Sequence, residues 1–156
     1  MTWGRFKAPY FFITSGKVGT HTTNHVLASN GWKGMHIKDA PGSADIVGLI
    51  RHPIDRWLSG MAMILYGGTV PKDIDQLVDS PIQHSDLSKQ SDNFSSNNAT
   101  LFRLENIRKL WSFLGIIDEG THLNKCRGPM LSLSKQNINT LLDFYADDLV
   151  LWKEAK

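Results

Sequence analysis

Residues 9–31, PYFFITSGKVGTHTTNHVLASNG, indicate a strand, a glycine-containing turn and a helix in immediate succession. The apolar run at residues 9–14 is typical of a buried strand. The turn at residues 15–20 follows, and the helix is expected from Thr22 until Asn30-Gly31 ends it. Such a turn exposes unpaired N–H groups and the positive end of the helix dipole, so the sequence predicts an anion site here.

Strands and helices continue to alternate along the rest of the chain. We expect further strands at residues 34–38, 45–50 and 100–104, and helices at residues 53–66, 73–78, 106–114 and 134–146. A polar loop is expected at residues 80–98. This alternation predicts an α/β fold with three layers, in which helices cover both faces of a central parallel sheet. In such folds, ligands bind beyond the carboxyl ends of the strands, where residues 15–22 and 51–59 would lie.

Composition limits the classes of protein that fit. The 156 residues, 41% hydrophobic and 21% charged, are typical of a single globular domain spanning residues 1–156. A net charge of +2 is too small to bind nucleic acid by electrostatics alone. No apolar run has the length of a membrane span, and residues 1–30 do not resemble a signal peptide, so we expect a soluble, cytoplasmic protein without a membrane partner. The single cysteine, Cys126, cannot form an intrachain disulfide.

The first loop has the residue types of an anion cradle. Gly16 and Gly19 permit a tight turn, Lys17 adds a positive charge, and the threonines that follow add hydroxyl donors. A nucleoside-triphosphate P-loop reads G-x-x-x-x-G-K-[ST], but here Phe11 stands at the first glycine and Val18 at the Mg²⁺-binding hydroxyl. These two departures count against a nucleotide or small-molecule kinase, which is kept as an alternative together with a catalytically silent nucleotide-binding module.

The second loop is a second candidate anion site. Arg51 follows a strand, Pro53 begins the next helix, and Ser59 lies inside that helix. An arginine fork donates two hydrogen bonds to a phosphate, and a serine two turns further can reach the same anion. On its own, Arg51 fits a surface salt bridge better than an anion site.

Together the two loops read K-x-G-T and then R-x-P-x-x-R-x-x-S, which resembles the sulfotransferase family and its carbohydrate type in particular. The resemblance implies a P-loop-like sulfotransferase fold that binds 3′-phosphoadenosine 5′-phosphosulfate and transfers its sulfonate group to a small-molecule or carbohydrate acceptor. The first loop would hold the 5′-phosphosulfate and the second the 3′-phosphate. The residues at matching positions are Lys17, Val18, Gly19, Thr20, His21 and Thr22 in the first loop, and Arg51 and Ser59 in the second.

The resemblance continues more weakly through the chain, with two departures. Gln90 lies in a segment similar to a glutamine-containing loop of the family, residues 102–107 resemble its R-x-E step, His122 begins an H-x-N pattern, and residues 145–148 resemble its Y-x-x-D ending. The family usually has proline where Gly16 stands, and aspartate or asparagine where His52 stands.

The resemblance also implies catalytic roles. Lys17 would neutralise charge on the leaving nucleotide, and no metal is expected. His36, near the end of the second strand, is the candidate general base for the acceptor hydroxyl. Asp39, Glu105 and His21 are alternatives to His36. Lys125 and Arg127 could clamp the 3′-phosphate or belong to a solvated charged loop. The aromatic residues expected in the core are Trp57, Trp111, Phe113 and Phe144.

Overall fold

The computed structural model describes residues 2–66, 68, 73–79, 87–94, 98–117, 120, 128–129 and 131–156. Within these ranges the chain forms a mixed α/β fold. The strands are β1 (Trp3–Lys7), β2 (Tyr10–Ile13), β3 (Lys33–His36), β4 (Asp45–Ile50) and β5 (Thr100–Arg103). The helices are α1 (Thr20–Ser29), α2 (Pro53–Ile64), α3 (Ile74–Asp79), α4 (Ser91–Phe94), α5 (Ile107–Leu114), α6 (Lys135–Phe144) and α7 (Ala146–Glu154).

The five strands form one mixed sheet in the order β3-β1-β2-β4-β5. The pairings of β2 with β4 and of β4 with β5 are parallel, as predicted. The expectation of an entirely parallel sheet is wrong, because β1 lies between β2 and β3 and is antiparallel to both. Only Ala8 and Pro9 separate β1 from β2, and so short a connection can join only antiparallel neighbours.

The topology brings four strand ends to one edge of the sheet. Because β2 and β3 are each antiparallel to β1, they share one direction, and β4 and β5 share it too. The carboxyl ends of these four strands, at Ile13, His36, Ile50 and Arg103, therefore lie along the same edge. Both motif loops begin there.

Helices pack on both faces of the sheet because its side chains alternate. Phe12, Val47 and Phe102 face one way and pack with Leu27 of α1 and with Trp111 of α5. The residues on either side of Phe12 along β2, Phe11 and Ile13, face the other way. There they pack with Phe94 of α4 and with Leu151 of α7. A third apolar cluster joins α2, α3 and α6.

Trp57 and Trp111 are buried, as predicted. The same expectation is wrong for Phe113 and Phe144, each of which is 39% exposed. The buried stripe of α5 runs through Leu110 and Trp111, so a residue two positions further along lies at the side of that stripe and is partly exposed. Phe113 instead contacts the rings of Tyr10 and Phe102 at the margin of the sheet.

Most predicted boundaries agree with the structure to within two residues, and residues 45–50 agree with β4. Ser134 caps α6, as expected, since its hydroxyl accepts a hydrogen bond from Asn137 N at 3.1 Å. Residues 149–152, for which the sequence analysis gives no element, belong to α7. None of the helices in the described ranges is both long and apolar enough to cross a membrane.

Candidate functional site

In the structure the first loop spans residues 14–19, because β2 ends at Ile13 and α1 already begins at Thr20. The backbone of this loop is unusual. Lys17 has φ +60° and Gly19 has φ +75°, whereas Val18 between them keeps a negative φ and is buried in the core. A left-handed φ is uncommon for a residue with a side chain, and alternating φ signs form a concavity lined by N–H groups. The burial of Val18 anchors the loop while Lys17 adopts this conformation.

Side chains hold the carbonyl oxygens of this loop. Arg56 Nε donates to Gly16 O at 2.9 Å and Arg51 Nη1 to Lys17 O at 3.3 Å. The hydroxyls of Thr20 and Thr23 donate to Ser15 O and Gly19 O. In a trans peptide the N–H points opposite to the carbonyl, so fixing these oxygens also fixes the direction of the N–H groups that follow.

Helix α1 adds further N–H donors next to the loop. Its N-cap is Gly19, which has no side chain to accept hydrogen bonds from the first turn. The first turn carries no acidic residue, so no side-chain carboxylate there competes for the positive end of the helix dipole. Of the predicted contact residues in this turn, His21 is exposed, Thr20 is half-buried and Thr22 is buried. Loop and helix together suit a phosphate or sulfate group.

The second loop reaches the first. Arg51 follows β4 directly, and its hydrogen bond to Lys17 O bridges 34 positions of sequence. His52, which stands where the sulfotransferase pattern has aspartate or asparagine, caps α2 by accepting from Ile54 N through Nδ1 at 3.3 Å. An imidazole nitrogen thus provides the capping acceptor that a carboxylate or amide usually provides. Ser59 is buried two turns into α2.

Arg56 is a site residue that the sequence analysis did not identify. Its guanidinium is almost fully buried, with 2% of the residue exposed, and donates to Gly16 O and to Ser88 O. The side chain therefore joins the first loop, α2 and the segment at residues 87–91. The available signal was the second arginine of the R-x-P-x-x-R-x-x-S pattern.

The segment at residues 87–91 is held from the C-terminal helices. The Tyr145 hydroxyl donates to Leu87 O, and the Asp148 carboxylate accepts from Gln90 N and Ser91 N. Burial, opposed by Arg56 and reinforced by Asp148, raises the pKa of Tyr145 to about 12. The Y-x-x-D residues therefore contact the glutamine-containing segment directly.

The candidate base lies farther along the edge. His36 ends β3, and its ring packs against that of Trp3 at a centroid distance of 3.7 Å with the planes tilted by 43°. Its buried Nδ1 has no hydrogen-bond partner among the described residues. Strand β1 separates β3 from β2, so the His36 backbone is roughly 10 Å from the end of β2. Trp3 O accepts from Thr14 N at 3.0 Å and so connects this region to the start of the first loop.

The alternatives to His36 also lie near the carboxyl edge of the sheet and are exposed. Asp39 lies in the 3-10 turn after β3, Glu105 in the 3-10 turn after β5, and His21 in the first turn of α1. Of these groups, His21 lies nearest in sequence to Lys17. The structure thus joins Lys17 and Arg51 directly, whereas His36 lies apart from both.

Some predicted residues fall outside the described ranges. These are Lys125, Arg127 and His122 of the expected basic loop, together with Cys126. Within the described ranges, no group of three or more histidine, cysteine, aspartate or glutamate side chains could hold a metal ion. Comparisons with protein-family models, with curated proteins and with solved structures found no match.

Proposed function

We propose that this protein is a sulfotransferase, with the P-loop-like fold of that family, that transfers a sulfonate group from 3′-phosphoadenosine 5′-phosphosulfate to a hydroxyl or amine acceptor. The observation that carries the proposal is the direct contact between the two motif loops, from Arg51 Nη1 to Lys17 O at 3.3 Å. A donor nucleotide with phosphates at both its 5′ and 3′ positions needs two anion sites that are held at a fixed separation.

The donor set suits such a nucleotide. The N–H groups from Gly19 to Thr22 lie at the positive end of the α1 dipole, and Lys17 adds a full positive charge beside them. The guanidinium of Arg51 uses Nη1 for Lys17 O, and the described residues give it no other acceptor. Its remaining donors suit a 3′-phosphate, and Ser59 is the second candidate ligand.

The reaction proposed is an in-line displacement at sulfur. The bond from sulfur to the bridging oxygen of the nucleotide breaks, a bond from sulfur to the acceptor oxygen forms, and 3′,5′-ADP leaves. Lys17 stabilises the charge that develops on the bridging oxygen, and the backbone N–H groups hold the 5′-phosphate. A base takes the acceptor proton, and His36 is the candidate because its imidazole lies on the carboxyl edge of the sheet.

The first experiment compares thermal unfolding with 3′,5′-ADP, with 5′-ADP and with Mg-ATP. A ligand at about 100 times its dissociation constant adds roughly 2.7 kcal/mol of stability, which raises the Tm of a domain of this size by roughly 5–10 °C. We expect the full shift with 3′,5′-ADP only, and a clearly smaller shift with 3′,5′-ADP in Arg51→Ala but not in Arg108→Ala, which removes an exposed arginine of α5. A shift with Mg-ATP alone would indicate a kinase.

Transfer is tested separately with labelled 3′-phosphoadenosine 5′-phosphosulfate and a panel of sugars, phenols, alcohols and amines. We expect label in at least one acceptor with the wild-type protein and none with Lys17→Ala. Stabilisation by 3′,5′-ADP without transfer to any acceptor would indicate a silent nucleotide-binding module.

A further inference from the structure

A fully buried glutamine lies behind the second motif loop. Gln90 is 0% exposed, its side-chain oxygen accepts from Arg51 N at 3.0 Å, and its side-chain nitrogen donates to Arg51 O at 2.9 Å. One amide thus pairs with both main-chain groups of one residue, as a neighbouring strand would. Two bonds of this kind fix the rotation of the Arg51 main chain as well as its position.

Asp148 of α7 holds this glutamine in turn. The carboxylate is 0% exposed, and its two oxygens accept from Gln90 N at 2.9 Å and from Ser91 N at 2.8 Å. Hydrogen bonds to an ionised acceptor are about twice as strong as neutral ones. A continuous chain of polar contacts therefore runs from α7 through Gln90 to Arg51.

Packing alone does not account for these two side chains. Burying an amide and a carboxylate carries a desolvation cost that an apolar residue of similar volume would avoid. Of the other buried positions at residues 87–94, Leu87 and Phe94 are apolar, and Ser91 donates its main-chain N–H to the same carboxylate. The polar chain ends on the main chain of Arg51, whose guanidinium reaches the first loop.

We propose that Gln90 is a positioning residue for Arg51, with Asp148 acting through it. The inference rests on the proposed role of Arg51 at the 3′-phosphate. With its main chain fixed, Arg51 presents its guanidinium in one direction and loses little conformational entropy when a phosphate binds. Without the Gln90 amide, the same arginine must be ordered by the ligand, so the 3′-phosphate adds less affinity.

The test measures dissociation constants by calorimetry for 3′,5′-ADP and for 5′-AMP, which lacks only the 3′-phosphate. The wild-type protein should prefer 3′,5′-ADP by at least about tenfold, because charged hydrogen bonds to the 3′-phosphate are lost in 5′-AMP. Gln90→Met keeps the side-chain length and removes both hydrogen bonds. It should lower the preference to that of Arg51→Ala while leaving 5′-AMP affinity within about twofold. Gln136→Met makes the same change at an exposed position of α6 and should keep the preference.

The outcomes separate this inference from the proposed function. Equal affinity of the wild-type protein for the two ligands would overturn the 3′-phosphate role of Arg51, and this inference with it. A selective wild type with an equally selective Gln90→Met variant would overturn the role of Gln90 alone, as would equal weakening of both ligands. If Gln90→Met does not fold, Asp148→Asn decides the matter, because it keeps one acceptor oxygen. An intermediate preference supports the inference, and an unchanged one overturns it.

Discussion

Arg56 Nε and the carbonyl oxygen of Gly16 lie 2.9 Å apart, although 40 positions of sequence separate the two residues. The same buried guanidinium donates to Ser88 O. One side chain of α2 therefore fixes a carbonyl of the first loop and the segment that carries Gln90. The conformation of the first loop, the proposed anion cradle, thus depends on a residue that need not touch an anion itself.

Replacement of Arg56 should reduce stability in proportion to the hydrogen bonds lost. Arg56→Met keeps the apolar stem and leaves Gly16 O and Ser88 O without this donor, which should cost about 2–4 kcal/mol. Arg56→Lys can reach one of the two oxygens and should cost less. Denaturant unfolding measures both, with the exposed Arg108→Met as the control, and a fully stable Arg56→Met variant would contradict the prediction.

Two substitutions of Lys17 should have the same effect on activity and different effects on stability. Both Lys17→Ala and Lys17→Gly lack the ammonium group and should not transfer sulfonate. At φ +60°, however, glycine is unstrained, so the glycine variant should be about 1 kcal/mol more stable than the alanine variant. At the exposed Lys109, inside α5, the order should reverse, because alanine is favoured over glycine in a helix by about 1 kcal/mol. If alanine were more stable than glycine at both positions, this would contradict the left-handed conformation of Lys17.

Among the strands that the sequence predicted, the clearest signals came from the apolar runs at β2 and β4. Both strands pack on both faces, and apart from Asp45 at the start of β4 their sequences carry no charged residue. Strand β1 carries Gly4, Arg5 and Lys7, so its pattern gave no such signal. The position of β1 in the sheet depends instead on its close contact with β2. A Cβ on Gly4 would lie only 2.2 Å from Phe12 O of that strand.

The residues of the candidate site could be predicted from the sequence only where they lie near one another along the chain. The two motif loops have local spacing, so Lys17 and Arg51 could be identified. The contacts that hold these loops cross 40 positions at Arg56 and 58 at Asp148. Single buried polar residues such as Gln90 have no periodicity that would distinguish them from surface residues.

Gly19 should tolerate no side chain. Its φ of +75° is strained for other residues, and a Cβ there would lie 2.9 Å from Leu104 Cδ1. We expect Gly19→Ala to cost about 1–2 kcal/mol of stability and to weaken 3′,5′-ADP binding. Gly42→Ala is the control, because a Cβ at that position meets nothing within 4 Å. Equal stability of the two variants would show that the loop can adopt another conformation.

Tyr145 should make stability depend on alkaline pH. Burial raises its pKa to about 12, and Asp148 adds to this while Arg56 opposes it. In the unfolded chain a tyrosine has a pKa of about 10, so as the pH rises the unfolded state loses the proton first. The stability contributed by neutral Tyr145 is therefore complete below about pH 10 and is lost as the pH rises from about 10 to about 12.

The measurement is the difference in unfolding free energy between wild type and Tyr145→Phe across this range. At neutral pH the variant should be less stable by about 1 kcal/mol, because the hydrogen bond to Leu87 O is lost. That difference should shrink above about pH 10, since phenylalanine does not titrate. Tyr66→Phe, at an exposed tyrosine, is the control and should show a constant difference from wild type across this range. A constant difference for Tyr145→Phe as well would mean that its hydroxyl ionises as readily in the folded protein as in water.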